Sequence, residues 1–243
     1  LVTPRESRLM RLVVGWSLRH ADLITADSFD VVKEISGYHP SAPVHQILWG
    51  ADTDKFCPGT PASDFEVVSL RSWEPNYNID LIIEAFARFV SLRPHSQARL
   101  HLLGGGPMEP ALQERVTSLR LLQQVRFHGR VGDQAMVDAI QRARVSVSVP
   151  TSDATSVSVL ESMACGTPVA AFPVDGPLQV LGDGDGEATG GVLSEDLSAA
   201  FQQCLQVPRS EARQRAEAFG WPRTVEMFKS NLVSVGGGAH PCA

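Results

Sequence analysis

The chain has 243 residues, 43% hydrophobic and 20% charged, with a formal net charge of −6, an ordinary globular composition long enough to bury a sizeable core. The acidic balance excludes a general electrostatic draw on nucleic acid, and no apolar run reaches the ~18–20 residues that span a bilayer. The four cysteines, Cys57, Cys165, Cys204 and Cys242, form no CxxC pair, which argues against zinc or thioredoxin-type chemistry. Reduced thiols and a cytoplasmic setting, at most at the inner face of the membrane, are expected.

Arg5, Arg8 and Arg11 stand where a secretory leader would be apolar, so none is expected in this stretch, and with Leu1 rather than Met as its opening residue the sequence reads as part of a longer polypeptide. Residues 1–52 read as a helix (5–19), a strand (23–26), a second helix (28–36) and a strand (44–48). The arginines of the first helix raise peripheral contact with anionic lipid, but its apolar residues are not read as one clean face, which favours a solvated helix. Residues 57–64, rich in Pro, Gly and Ser, read as a linker or domain boundary. Strands at 67–70, 100–103, 125–127, 145–149 and 169–172 then alternate with helices at 80–92, 109–119, 133–142 and 157–164. That alternation builds βαβ units and a mostly parallel sheet, covered on both faces. The expected fold is an α/β, Rossmann-like doubly wound domain over 53–209, with ligands beyond the carboxyl ends of its strands. Residues 210–243 read as two helices broken at Gly220, Trp221 and Pro222, then a frayed Gly-rich tail from Gly236.

Chemistry concentrates at 150–169. A buried strand ends at Pro150, a polar loop follows, and a helix begins near Ser156, which Thr155 or Ser156 can cap and Gly166 can stop. Such a loop aims free backbone N–H groups into the crevice at the positive end of a helix dipole, a ready diphosphate site. Glu161, on the second turn, can accept hydrogen bonds from the hydroxyls of a ribose.

This segment resembles the glycosyltransferase family 4 type, in which two acids separated by seven other residues precede a Met-Ala-Cys-Gly-x-Pro-Val run. Glu161 matches the second acid, and Asp153 stands at the first, where Glu is usual; Met163 to Val169 match the run. Five other stretches, 21–28, 49–58, 102–107, 125–131 and 219–221, resemble the family in the right order. The resemblance implies the donor-binding half of a GT-B architecture, two Rossmann-like domains facing across a cleft. It implies hexosyl transfer from a UDP- or GDP-sugar to a sugar or glycolipid acceptor, mostly with retention and with no metal or other cofactor. Carried over by position, Glu161 would hold the donor ribose, Asp153 the transferred sugar, and the backbone at Thr155, Ser156 and Val157 the diphosphate and sugar. Gly104 and Gly105 would touch donor phosphate or sugar, and the main chain from His128 to Val131 would border the base.

The family also places an Arg and, six residues on, a Lys against the leaving diphosphate, cations that stabilise charge developing in the transition state. Arg71 matches the first, but Tyr77 stands at the second. A phenol brings no charge, so a non-catalytic nucleotide-sugar-binding fragment or subunit stays as an alternative, beside a nucleotide-sugar epimerase. The resemblance also implies that residues 1–52 are the tail of a largely missing N-terminal acceptor domain, so the acceptor site and any base there are expected outside this sequence. Other motifs read as structure. The third glycine of a dinucleotide fingerprint would fall on Glu109, which leaves Gly104, Gly105 and Gly106 as a tight turn. Residues 182–187 hold an Asp-x-Asp, but a calcium loop would need Gly and Glu where Ala188 and Ser194 stand. His128 is expected to be packed or bonded to backbone.

Overall fold

A computed structural model describes residues 7–93, 97–182 and 189–232. Two compact units are distinguished, one of Leu1–Leu48 with Pro222–Ala243 and one of Trp49–Trp221. In the first, α1 (Arg8–Arg19) and α2 (Phe29–Ser36) alternate with β1 (Ile24–Ala26) and β2 (Val44–Gln46), and the two strands pair in parallel, Ile24 opposite Val44. Ser7 and Ser28 cap the helices, their hydroxyls accepting from Met10 and Val31 N–H. The reading of α1 as lacking an apolar face is corrected. Leu9, Leu12, Val13 and Trp16 are all exposed, and their i, i+3, i+4, i+7 spacing puts them on one side. No described helix is long and apolar enough to cross a membrane.

The second unit holds β3 (Glu66–Ser69), α3 (Ile79–Ser91), β4 (Arg99–Leu103), α4 (Glu109–Ser118), β5 (Val125–Gly129), α5 (Asp133–Arg142), β6 (Val145–Ser148), α6 (Val157–Ala164), β7 (Val169–Ala171), α7 (Asp175–Leu181), β8 (Gly191–Leu193), α8 (Leu197–Cys204) and α9 (Arg209–Glu217); the chain leaves it in α10 (Trp221–Ser230). The six-stranded sheet has the order β5-β4-β3-β6-β7-β8, and every pairing is parallel. β3, β6 and β7 are buried along their whole length, as strands covered by helices on both faces must be. On one face α3, α4 and α8 close over Val67, Leu100, Val145 and Ala170. The spacing of Ile79, Ile82, Ile83, Phe86 and Phe89, all buried, gives α3 the stripe that seals this side. On the other face α5, α6 and α9 pack with Val169 and Ala171.

Three expectations change. The 57–64 stretch is not a linker between units but a strap within the larger one, held by Gln141 Nε2 donating to Cys57 O (2.8 Å) and Ala62 N–H donating to Arg142 O (2.8 Å). The boundary placed after 209 does not coincide with the compact unit, because α9 buries Ala212 and Ala216 in its core. The strand and helices between 173 and 209, namely α7, β8 and α8, were not anticipated. Residues 183–188 and the tail from Gly236 lie outside the described residues, as does Cys242, whereas Cys57, Cys165 and Cys204 are free thiols.

The strand order reverses between β3 and β6, and loops leaving their carboxyl ends must diverge and leave a crevice there.

Candidate functional site

Both sides of that crevice are pinned by contacts that lie outside it. The loop after β3 is anchored by Trp73, which is buried edge-on against Phe127 at 5.4 Å. Its main chain pairs with the turn after β4: Trp73 N–H donates to Gly105 O (3.1 Å) and Met108 N–H to Trp73 O (3.1 Å). A Cβ at Gly104 would collide with the Arg71 carbonyl oxygen, and one at Gly106 with that of Trp73, whereas at Gly105 it would meet only the Arg130 side chain, at 3.5 Å. The glycines therefore let two loops touch. Gly104→Ala is expected to lower stability by ~1–2 kcal/mol through forced backbone displacement, and Gly105→Ala by less. Urea denaturation of both variants checks this, and equal losses would refute the close-approach argument.

Across the crevice, α6 is fixed from behind. Ser162 Oγ donates to Ser146 Oγ inside the core (2.8 Å). At the helix's carboxyl end Arg209 donates to Cys165 O (3.0 Å) and Arg213 to Ala164 O (2.9 Å), cations where helix carbonyls lack partners. Gly166, at φ 75°, ends the helix in the left-handed region, as its sequence indicates. The amino end is different. Ser156, at the cap position, makes no side-chain cap bond; contrary to expectation, its hydroxyl donates to Asp153 Oδ2 at 2.5 Å. Thr155 Oγ1 instead accepts from Trp49 N–H (3.3 Å). Val157 N–H is already bonded to Thr155 O (2.8 Å), while the amides of Ser156 and Ser158 have no backbone partner among the described residues. An uncapped helix start with free N–H groups favours an anion.

Arg71 faces this helix start. Its side chain is only 10% exposed, its Nη2 lies 2.8 Å from Asp153 Oδ2, and its Nη1 donates to Ser158 Oγ at 2.9 Å. Among the described residues neither Nε nor Nη2 has an aligned hydrogen-bond acceptor. A buried guanidinium with donors to spare suits an oxyanion ligand. The Tyr77 ring lies 4.3 Å from Arg71 Cζ.

Glu161 sits half-buried on the second turn of α6. Burial pushes its carboxyl up to about 7, against the pull of Lys55 and Arg71 and with a push from Asp133. Lys55 and Asp133 form an ion pair at 2.6 Å, a neighbourhood that nothing near Glu161 in sequence announces. Val131 packs partly buried against Val68, Leu103 and Ala143. His128 departs from expectation: it is exposed, and its Nε2 lies 2.9 Å from Nδ1 of His101 rather than against backbone. His101, which faces buried Glu66 at 3.7 Å, was not singled out in sequence; burial lowers its pKa.

Arg71, Asp153, Ser156 and Ser158 thus meet at the switch point, with Glu161 one turn along α6. Gly104 and Gly105 border it from the β4 side. The profile of the family described as glycosyl transferases group 1 matches residues 51–221. The chain is 28% identical over 233 residues to D-inositol 3-phosphate glycosyltransferase of Geodermatophilus obscurus, covering 85% of this chain and 51% of that protein. It is 32% identical over 172 residues to mannosylfructose-phosphate synthase of Agrobacterium fabrum, covering 62% of this chain and 37% of that one. The chain spans about half the length of the first of these curated relatives. Among solved structures, sucrose-phosphate synthase of Thermosynechococcus elongatus superposes with a TM-score of 0.75 at 22% identity, over 93% of this chain and 61% of that one. Anabaena HepE in complex with UDP and glucose gives 0.76 at 19% identity, over 94% and 68%. At these identities the structural likeness speaks for the fold.

Proposed function

The chain belongs to the group 1 glycosyltransferases, and from that premise we propose that its larger unit is the donor-binding half of a hexosyltransferase. The donor is a UDP- or GDP-sugar and the acceptor a sugar or glycolipid. The observation that carries this reading is Arg71, buried at the end of β3 with unaligned donors and set opposite the uncapped start of α6. A diphosphate placed between them would receive a guanidinium from one side and backbone N–H groups from the other, charge-assisted bonds in a partly dry site. The ribose diol would reach Glu161, and the sugar would reach Asp153. Neutralisation falls to Arg71 and the helix, without a metal. A HepE structure containing UDP and glucose supports a uridine nucleotide as the first ligand to try.

The alternative, a donor-binding module without turnover, is favoured by Tyr77 at the position of the second cation. Both readings need the same binding site, so binding is tested first, by calorimetry with UDP, GDP and their sugars. Two variants then separate the acids. Glu161→Gln should weaken nucleotide and nucleotide sugar by similar factors, about 10- to 100-fold, since the ribose is common to both. Asp153→Asn should lower the preference for nucleotide sugar over bare nucleotide by about tenfold and leave UDP affinity no weaker, because the carboxylate beside Arg71 competes with the diphosphate. Equal losses on both ligands for Asp153→Asn would remove it from the sugar site. Failure of every nucleotide diphosphate to bind would overturn the reading.

A further inference from the structure

The ring of Tyr77 covers one face of the Arg71 guanidinium at 4.3 Å. With Nη1 donating to Ser158 and Nη2 beside Asp153, the group is fixed on three sides. The phenolic oxygen of Tyr77 makes no hydrogen bond among the described residues, so the ring and not the hydroxyl is engaged. Tyr77 is itself held. It ends the 3-10 turn Pro75–Tyr77, closed by its N–H donating to Glu74 O (3.0 Å). Asn78 follows in the left-handed region, φ 49°, a conformation Asn tolerates better than most residues. Its amide donates to Val149 O (2.8 Å) and Thr151 Oγ1 (3.1 Å). Asn76 donates to Ser152 O (3.0 Å) and accepts from Thr151 N–H (2.8 Å). The turn carrying the ring is thus stitched to the loop carrying Asp153.

We propose that Tyr77 is a positioning residue for Arg71, its ring holding the guanidinium in one orientation beside the start of α6, so that one ordered arginine acts on a diphosphate without a second cation. This rests on the reading of the crevice as a diphosphate site. A long arginine side chain loses much rotamer freedom when it binds. Stacking on an aromatic face removes that freedom beforehand.

The competing role is plain packing, since Tyr77 also leans on the core beneath α3. Binding of UDP and of uridine to wild type, Tyr77→Phe, Tyr77→Leu and Arg71→Ala tells the two apart. Tyr77→Met is run alongside in case the leucine variant folds poorly. The leucine and methionine variants are expected to bind UDP about three- to thirtyfold more weakly, the range of a partly dry cation–π contact, with uridine unaffected. Tyr77→Phe is expected to restore UDP affinity. Leucine and methionine variants that match wild type on UDP, or that lose uridine equally, would overturn the proposal. So would a phenylalanine variant as weak as leucine, since the hydroxyl would then be the active part. If Arg71→Ala leaves UDP affinity intact, the diphosphate reading itself fails. If it weakens UDP while Tyr77→Leu does not, only the stacking role is lost.

Discussion

Arg71→Ala is expected to weaken UDP binding by about a hundredfold and to change uridine affinity by less than about threefold, since a charge-assisted hydrogen bond contributes ~1.5–3 kcal/mol and a decade of affinity is ~1.4 kcal/mol. The side chain is 10% exposed and its partner Asp153 14%, so solvent screens the pair less than it would at the surface. Two effects add in the variant. The diphosphate loses a guanidinium, and Asp153, keeping only its hydrogen bond from Ser156, is left as a carboxylate without a cation close to where the anion must sit. The second effect predicts non-additivity: Asp153→Asn should raise UDP affinity more in the Arg71→Ala background than in the wild type, a coupling that a double-mutant cycle reads directly. Arg71→Lys should fall between, keeping a charge but not the planar fork. Calorimetry of these variants with UDP and uridine, beside circular dichroism to show that each is folded, decides the matter. Equal loss of uridine and UDP would make Arg71 a structural residue.

How far the sequence reaches can be seen from the same residues. The strands around the switch point are legible because each is a short apolar run bounded by turn residues, and α6 because Gly166 supplies its stop. The sheet's last strand escaped, since Gly191–Leu193 follows Gly190 and offers only Val192 and Leu193 as an apolar run, where β7 begins a run from Val169 to Phe172. The Pro- and Gly-rich strap at 57–64 has the composition of a linker, and what pins it is Gln141, 84 residues from Cys57. Composition cannot report such a contact. The candidate site divides in the same way. The residues of the 150–169 segment could be named because one local motif contains them. Their partners could not, because the pairing of Asp153 with Arg71, the placing of Lys55 and Asp133 near Glu161, and the His101–His128 contact join distant parts of the chain. Tyr77 is the instructive case: position alone says that a charge is absent, and only the fold says what its ring touches.

The Glu161 carboxyl, pushed up to about 7 chiefly by burial, should make nucleoside affinity rise with pH. A ribose diol donates hydrogen bonds, and a carboxylate accepts them better than a carboxylic acid does. If the ionised form is the competent one, apparent affinity scales with its fraction. It should then fall about tenfold per pH unit below about 7 and level off above about 8, so that binding at pH 5 is about a hundredfold weaker than at the plateau. Uridine is the ligand of choice, because the terminal phosphate of UDP has its own ionisation near about pH 6. Binding at pH 7 should release about half a proton, seen by calorimetry in buffers of different ionisation enthalpy. The unliganded protein gives an independent check of opposite sign. With the folded-state pKa above the ordinary glutamate value of 4.5, the native state holds the proton longer than the unfolded one. The contribution to stability is therefore full below about pH 4.5 and lost as the pH rises through about 7. Glu161→Gln should flatten both profiles together. A pH-independent uridine affinity in the wild type, alongside a stability profile that the glutamine variant does flatten, would leave Glu161 as a buried acid with no part in holding the ribose.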